Sequence, residues 1–185
     1  GQLGFYGFRN RADYSYERMT IATARSIKVP RAWNIMSAAG KKVVVAGVPQ
    51  TYPVEPVNGA LISSFLTPST QSQYTYPAEL KAEIEGLLDG DYMFDVAQFR
   101  TENKDSLLEQ IYQMAERQHT VVKHLMTSRP WDLFMHVDMG VDRMHHGFWK
   151  FFDSRHPKHE PGNRYENAIR DYYVHLDAQI GERLA

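Results

Sequence analysis

The sequence predicts an α/β layered domain, and two observations carry that prediction. Residues 41–48 (KKVVVAGV) form a continuous β-branched run, the pattern of a strand covered on both faces and therefore parallel and central. Segments with a 3.6-residue apolar period alternate with this run and with a second one, residues 132–137 (DLFMHV), of mostly buried character.

In chain order, residues 1–25 are rich in aromatics and arginines without a period, and are expected to be irregular. Pro30 opens a short helix through RAWNIMSAAG, with Trp33, Ile35 and Met36 inward and Gly40 just past its end. The strand 41–48 follows directly, so helix, glycine turn and buried strand make half of a βαβ unit. Residues 49–77 are a long Pro/Thr/Tyr-rich excursion. A loop of that length in a compact domain is functional or carries short structure of its own, and GALISSFL (59–66) offers one short strand. Residues 77–89 predict a short helix with Leu80, Ile84, Leu87 and Leu88 on one side. Residues 92–97 suggest another strand. The clearest helix spans 105–128, where Leu107, Leu108, Ile111, Met114, Ala115, Val122, Leu125 and Met126 keep the period. Its two histidines, His119 and His124, are expected to be surface or packing residues. Arg129-Pro130 ends it, the strand 132–137 follows, and a helix is expected over about 142–152. A loop with His156 and His159 precedes a last helix, with Asn163 as its N-cap and Tyr165, Ile169, Tyr172, Leu176 and Ile180 as its stripe.

The totals narrow the chemistry. The chain has 185 residues, 43% hydrophobic and 23% charged, with a net charge of −1. Nothing in that balance suggests a nucleic-acid surface or a polybasic membrane patch. There is no cysteine, which excludes disulfides, thiolate metal sites and cysteine nucleophiles. A metal would have to be held by His, Asp or Glu, which suits Zn, Mn, Fe or Mg. No apolar run approaches the ~18 residues of a membrane helix. No signal peptide is visible, so the expected location is cytoplasmic, with a leader upstream of Gly1 left open. The chain begins without Met and ends inside a helical pattern, which sets the expectation of a truncated portion of a larger catalytic domain, a single α/β segment over 1–185.

The stretch 136–149 (HVDMGVDRMHHGFW) places Asp138, Asp142 and His146 on a strict four-residue step at the end of a predicted strand. Sites in open α/β sheets lie beyond the carboxyl ends of their strands. On a helix, Asp142 and His146 share a face. A hard oxygen and a borderline nitrogen held together there can grip one divalent cation from one side, with the remaining ligands drawn from elsewhere. The spacing equally suits carboxylates that cap a helix N-terminus beside a histidine that hydrogen-bonds on its face. His145 lies on another face, and His156 and His159 have the setting of surface residues. There is no GxxxxGK[ST], GxGxxG, HExxH or GxSxG.

The order of segments adds more. Residues 29–69 contain W-x-x-M-x-x-x-G-K-x-V and P-x-T-Y-P, then an NG and an LTP; residues 131–149 contain D-R-x-x-H-x-F-W. Together they resemble the type I phosphodiesterase/nucleotide pyrophosphatase family of the alkaline-phosphatase superfamily. The resemblance covers nearly the whole chain. It implies an alkaline-phosphatase-like layered sheet with flanking helices, and two divalent metal ions, Zn or Mn, at the carboxyl edge of the sheet. One of these ions is ligated by an Asp-x-x-x-His pair, matched here by Asp142 and His146. Asp138 matches no ligand position and is expected to cap or to support from behind. The family's early Asp ligand and Thr or Ser nucleophile would precede the segment resembled by GQLGFYGF, where Leu3 stands in place of a frequent histidine. Its late Asp-His pair and final His would follow Ala185.

The implied activity is metal-dependent hydrolysis of phosphodiester or nucleotide pyrophosphate bonds through a nucleophile outside this chain, which alone would be inactive. The alternatives are a sulfate-ester, phosphomonoester or phosphonate hydrolase or transferase on the same scaffold, or a non-catalytic module. The expected partner is a small-molecule phosphate ester, with no nucleic-acid duplex and no membrane segment, and a homo-oligomer through exposed strand edges is conceivable. Tyr52, Tyr74 and Tyr76 in the excursion are candidates to stack a base or aryl group, against the plainer reading of packing residues.

Overall fold

In the computed structural model, residues 3–5 and 7–184 are described. The expectation for GQLGFYGF therefore falls partly outside them, at Gly1, Gln2 and Tyr6. The elements are β1 (Arg9–Arg11), β2 (Met19–Ile21), α1 (Ala32–Ala38), β3 (Val43–Ala46), β4 (Gly59–Ile62), β5 (Thr75–Tyr76), α2 (Leu80–Leu88), α3 (Lys104–Ser128), β6 (Leu133–His136), α4 (Gly140–Phe152) and α5 (Ala168–Leu184). They form two compact units, one of Gly1–Phe94 with His124–Val137 and one of Asp95–Lys123 with Asp138–Ala185.

The first unit holds the mixed sheet, in the order β5-β4-β3-β6. β3 is parallel to both neighbours, with Val43 opposite Gly59 and Leu133, and Ala46 opposite Ile62 and His136. β5 closes one side antiparallel to β4. All four residues of β3 are buried, as a β-branched run between two partners requires. The residues of β6 are only half-buried. DLFMHV was expected to be mostly covered; among the described residues it is an edge strand and lacks a neighbour on one side. Trp33 of α1 packs on Val43, Val45, Val57 and Leu61, so helix and strand share one core. Gly40 stops α1 with a left-handed φ of 78°.

Asn58 then ties the next strand to that turn. Its Nδ2 donates to the Gly40 and Lys41 carbonyls, and its backbone N–H donates to Ser37 Oγ. Gly59 follows with φ 152°, and a Cβ there would lie 2.0 Å from the Val43 carbonyl oxygen. Only glycine allows β4 to start this close to β3.

Several expectations need correction. Ile35, Leu87 and Ile180, read as part of the apolar sides of their helices, are exposed. Residues 1–25 are not wholly irregular: β1 and β2 form an antiparallel ribbon. The strands have three residues each and are mostly exposed, so no apolar alternation marks them. Residues 92–97 contain no strand. Tyr92 and Phe94 instead pack their rings on Tyr74, at 5.9 and 5.0 Å between centroids, which is aromatic clustering rather than a ladder. Asn163 does not cap the last helix, which begins at Ala168. Its amide donates to the Phe151 and Glu160 carbonyls and holds the preceding loop.

The aromatic cluster yields one prediction. Tyr74 is fully buried, its hydroxyl has no hydrogen bond, and burial pushes its phenol up to about 12, with Glu85 and Asp91 adding to the shift. The folded value lies above the ordinary one near 10. Titration of this phenol therefore costs the fold nothing below about pH 10, and stability falls as pH climbs from there to about 12. Tyr74→Phe is expected to match or exceed the wild type at pH 7, by up to ~1 kcal/mol, because it removes an unsatisfied buried hydroxyl. It should also show a smaller decline in urea stability between pH 10 and 12. A clear loss of stability at pH 7 would contradict this account.

The second unit is helical. Leu107, Ile111, Met114 and Ala115 of α3, Met144 and Phe148 of α4, and Ile169 and Tyr172 of α5 are buried. Phe148 meets Tyr165 edge-on, and the Phe151 ring lies tilted against it. Tyr112 of α3 meets Tyr172 edge-on at 5.4 Å.

Candidate metal-binding face

β6 ends at His136 and α4 begins at Gly140, so three residues carry the chain from strand to helix. Asp138 shapes that passage. Its Oδ1 accepts hydrogen bonds from the Gly140 N–H at 2.7 Å and from the Tyr172 hydroxyl at 3.0 Å. Asp138 is not the N-cap, which is Met139, but from one residue before it Asp138 satisfies one of the free N–H groups at the start of α4. Burial, and then the Asp138 charge, push the Tyr172 phenol far up, so it stays a donor.

Asp142 and His146 stand on the first two turns of α4. Asp142 Oδ1 and His146 Nε2 are 3.5 Å apart, and the two side chains are 47% and 60% exposed. They face one way and open to solvent, as the i, i+4 spacing requires. Arg143 lies between them in sequence but is turned inward, with its side chain only 7% exposed. Its Nε donates to Asp95 Oδ1 at 2.6 Å, its Nη2 donates to Asp95 Oδ2, and its Nη1 donates to Asp142 Oδ2 at 2.6 Å. Burial by itself would lower the Arg143 guanidinium, but Asp95 and then Asp142 more than reverse this, and its pKa is raised. Phe99 touches both groups: the guanidinium carbon lies 4.5 Å from its ring centroid, and the His146 ring lies 5.7 Å away.

The donor set suits a divalent cation in part. Two ligand atoms on a tetrahedral ion with bonds of ~2.0–2.2 Å stand roughly 3.4 Å apart, close to the separation of this oxygen and nitrogen. Among the described residues, no group of three or more His, Asp or Glu is placed to hold a metal ion, so this face by itself offers two candidate donors.

The other candidates fall elsewhere. His145 Nε2 meets the Tyr173 hydroxyl at 3.2 Å, and its ring lies beside Trp149. His159 Nδ1 is 3.2 Å from the Lys150 carbonyl, and His156 Nδ1 accepts from the Lys158 N–H. His119 is buried against Glu182, and His124 meets Glu83 at 2.7 Å. Tyr52, Tyr74 and Tyr76 belong to the first unit, whereas Asp142 and His146 belong to the second. Tyr74 is wholly buried and has no free face for a ligand. Tyr76 packs on the Trp33 core, and the Tyr52 carbonyl accepts from the Ala24 N–H. Nothing in the sequence marks Asp95 or Phe99 for this face. The Arg143 that unites them is visible only as the second letter of D-R-x-x-H.

The family model of type I phosphodiesterase / nucleotide pyrophosphatase matches residues 1–185, the whole chain. The chain belongs to that family, and its mixed sheet and five helices agree with an alkaline-phosphatase-like fold. No curated protein and no solved structure matches it. No helix among the described residues is long and apolar enough to cross a membrane.

Proposed function

We propose that this chain supplies one edge of a divalent-metal centre for hydrolysis of phosphodiester or nucleotide pyrophosphate bonds. Family membership supports this class of hydrolysis in general. The observation that carries the finer reading is the exposed oxygen–nitrogen pair of Asp142 and His146, 3.5 Å apart. Bound there, a Zn or Mn ion, one of two in the complete site, would supply Lewis-acid stabilisation of charge on phosphoryl oxygens. The residues of this chain have separate tasks. Asp142 offers Oδ1 as a hard donor and keeps Oδ2 on Arg143. His146 offers Nε2. Asp138 and Tyr172 hold the start of the helix that carries both. The nucleophile is a Thr or Ser outside these residues. Tyr52 and Tyr76, in the first unit, are both only partly buried and stay candidates to stack a base or aryl group.

A panel of nitrophenyl esters tests the reading. The protein that carries the nucleophile, loaded with Zn or Mn, is expected to hydrolyse bis(nitrophenyl) phosphate in preference to the monophosphate and the sulfate, and a chelator is expected to stop it. The 185-residue chain alone should give no measurable turnover. Preference for the sulfate or the monoester would move the assignment to a sister activity, and turnover unaffected by chelator would remove the metal from it.

A further inference from the structure

Resting on the reading of Asp142 and His146 as a ligand pair, we infer that Arg143, anchored by Asp95 and backed by Phe99, is a positioning residue that organises both donors from the buried side of α4. Three observations converge. First, Arg143 spends Nε and Nη2 on Asp95, a two-pronged contact that sets the plane of the guanidinium. Second, the remaining prong takes Asp142 Oδ2, so Oδ1 is the oxygen left facing out, and Oδ1 is the atom 3.5 Å from His146 Nε2. Third, Phe99 lies under the guanidinium and also against the His146 ring, so the cation and the imidazole share one aromatic support. The orientation of Asp142 Oδ1 thus traces back to one nearly buried side chain, and His146 rests on the same ring that backs it. The charges agree with this assignment. One guanidinium faces two carboxylates, Asp95 and Asp142, which leaves one negative charge in the cluster to favour a cation at its open side.

A purely structural ion pair would need only the charge of Arg143. A positioning role needs its fork, which lysine cannot reproduce. The groups behind a metal ligand typically govern affinity by about 10- to 100-fold. The test is a Mn²⁺ titration of the 185-residue chain by NMR, following paramagnetic broadening of the ring signals of its eight histidines. In the wild type, His146 is expected to broaden first. Arg143→Lys and Phe99→Leu should each raise the Mn²⁺ concentration that half-broadens His146 by about tenfold or more, with the other histidine signals unchanged. If both variants titrate like the wild type, the positioning role is overturned while the ligand pair stands. If His146 is not selectively broadened in the wild type, the ligand pair itself fails, and the positioning role with it. Phe99 is only half-buried, so should Arg143→Lys not fold, Phe99→Leu decides alone.

Discussion

In the metal-loaded protein that carries the nucleophile, Asp142→Asn and His146→Ala are each expected to lower phosphodiester hydrolysis about a thousandfold or more while leaving the fold intact. The size follows from the several kcal/mol that a Lewis-acid cation contributes to a phosphoryl-transfer transition state, at 1.4 kcal/mol per tenfold. The intact fold follows from exposure. Both side chains stand mostly in solvent, and exposed substitutions usually stay within about 0.5 kcal/mol. Asp142→Asn keeps an oxygen for Arg143 while discarding the charge. Arg143 retains Asp95, so no buried cation is stranded. Thermal unfolding and turnover, measured on the same preparations, separate the outcomes. Lost turnover with an unchanged melting temperature supports the ligand assignment. Wild-type turnover in either variant would return the pair to an ordinary helix face. Equal loss of stability and activity would mean that the residues hold the helix rather than an ion.

How much of this was legible in the sequence follows from the kind of signal each feature leaves. β3 announces itself because a strand between two parallel neighbours must be apolar on both faces, and VVVA can be little else. α3 is equally plain, since its buried residues recur with the helical period over many turns. The Asp142–His146 pair is local, fixed by a four-residue spacing within one helix, and so the sequence alone could pose the question. The features that escaped are those made by distant residues. Asp95 lies 48 positions before Arg143, in a stretch without period, and its pairing leaves no local trace. Tyr92 and Phe94 mimic strand composition because β-propensity and aromatic clustering favour the same residues. Asn163 has the right identity for an N-cap, but its amide is drawn to the Phe151 and Glu160 carbonyls, and tertiary demand prevailed over local preference. Tyr74 offered a base-stacking ring by composition, and only its burial shows that both Tyr92 and Phe94 already occupy that ring.

Gly140→Ala is expected to be among the most damaging small substitutions in the chain, although alanine is the better helix former. The site lies at the first residue of α4. A Cβ there would stand 1.8 Å from the Tyr172 hydroxyl oxygen, 2.6 Å from Tyr172 Cζ and 2.9 Å from Asp138 Oδ1. All three distances are far below van der Waals contact. Tyr172 has no exposed surface into which to swing, and its ring is hemmed in by Tyr112. Relief therefore requires α4 to shift or the Tyr172–Asp138 hydrogen bond to break. Overpacking at such a point costs about 3 kcal/mol or more, and losing the bond to a buried carboxylate oxygen adds to that. In a chain of this size the sum lowers the melting temperature by roughly 10 °C. Gly86→Ala is the control. It lies within α2, a Cβ there meets nothing within 4 Å, and the same methyl should stabilise by ~0.5–1 kcal/mol through helix propensity. Opposite signs for one chemical change would show that Gly140 is required by the close approach of Tyr172. Because the displaced turn carries Asp142, Gly140→Ala should also weaken the Mn²⁺ effect on His146, whereas Gly86→Ala should not. Equal effects of the two substitutions on stability would refute the clash, and with it the claim that Asp138 and Tyr172 set the start of α4.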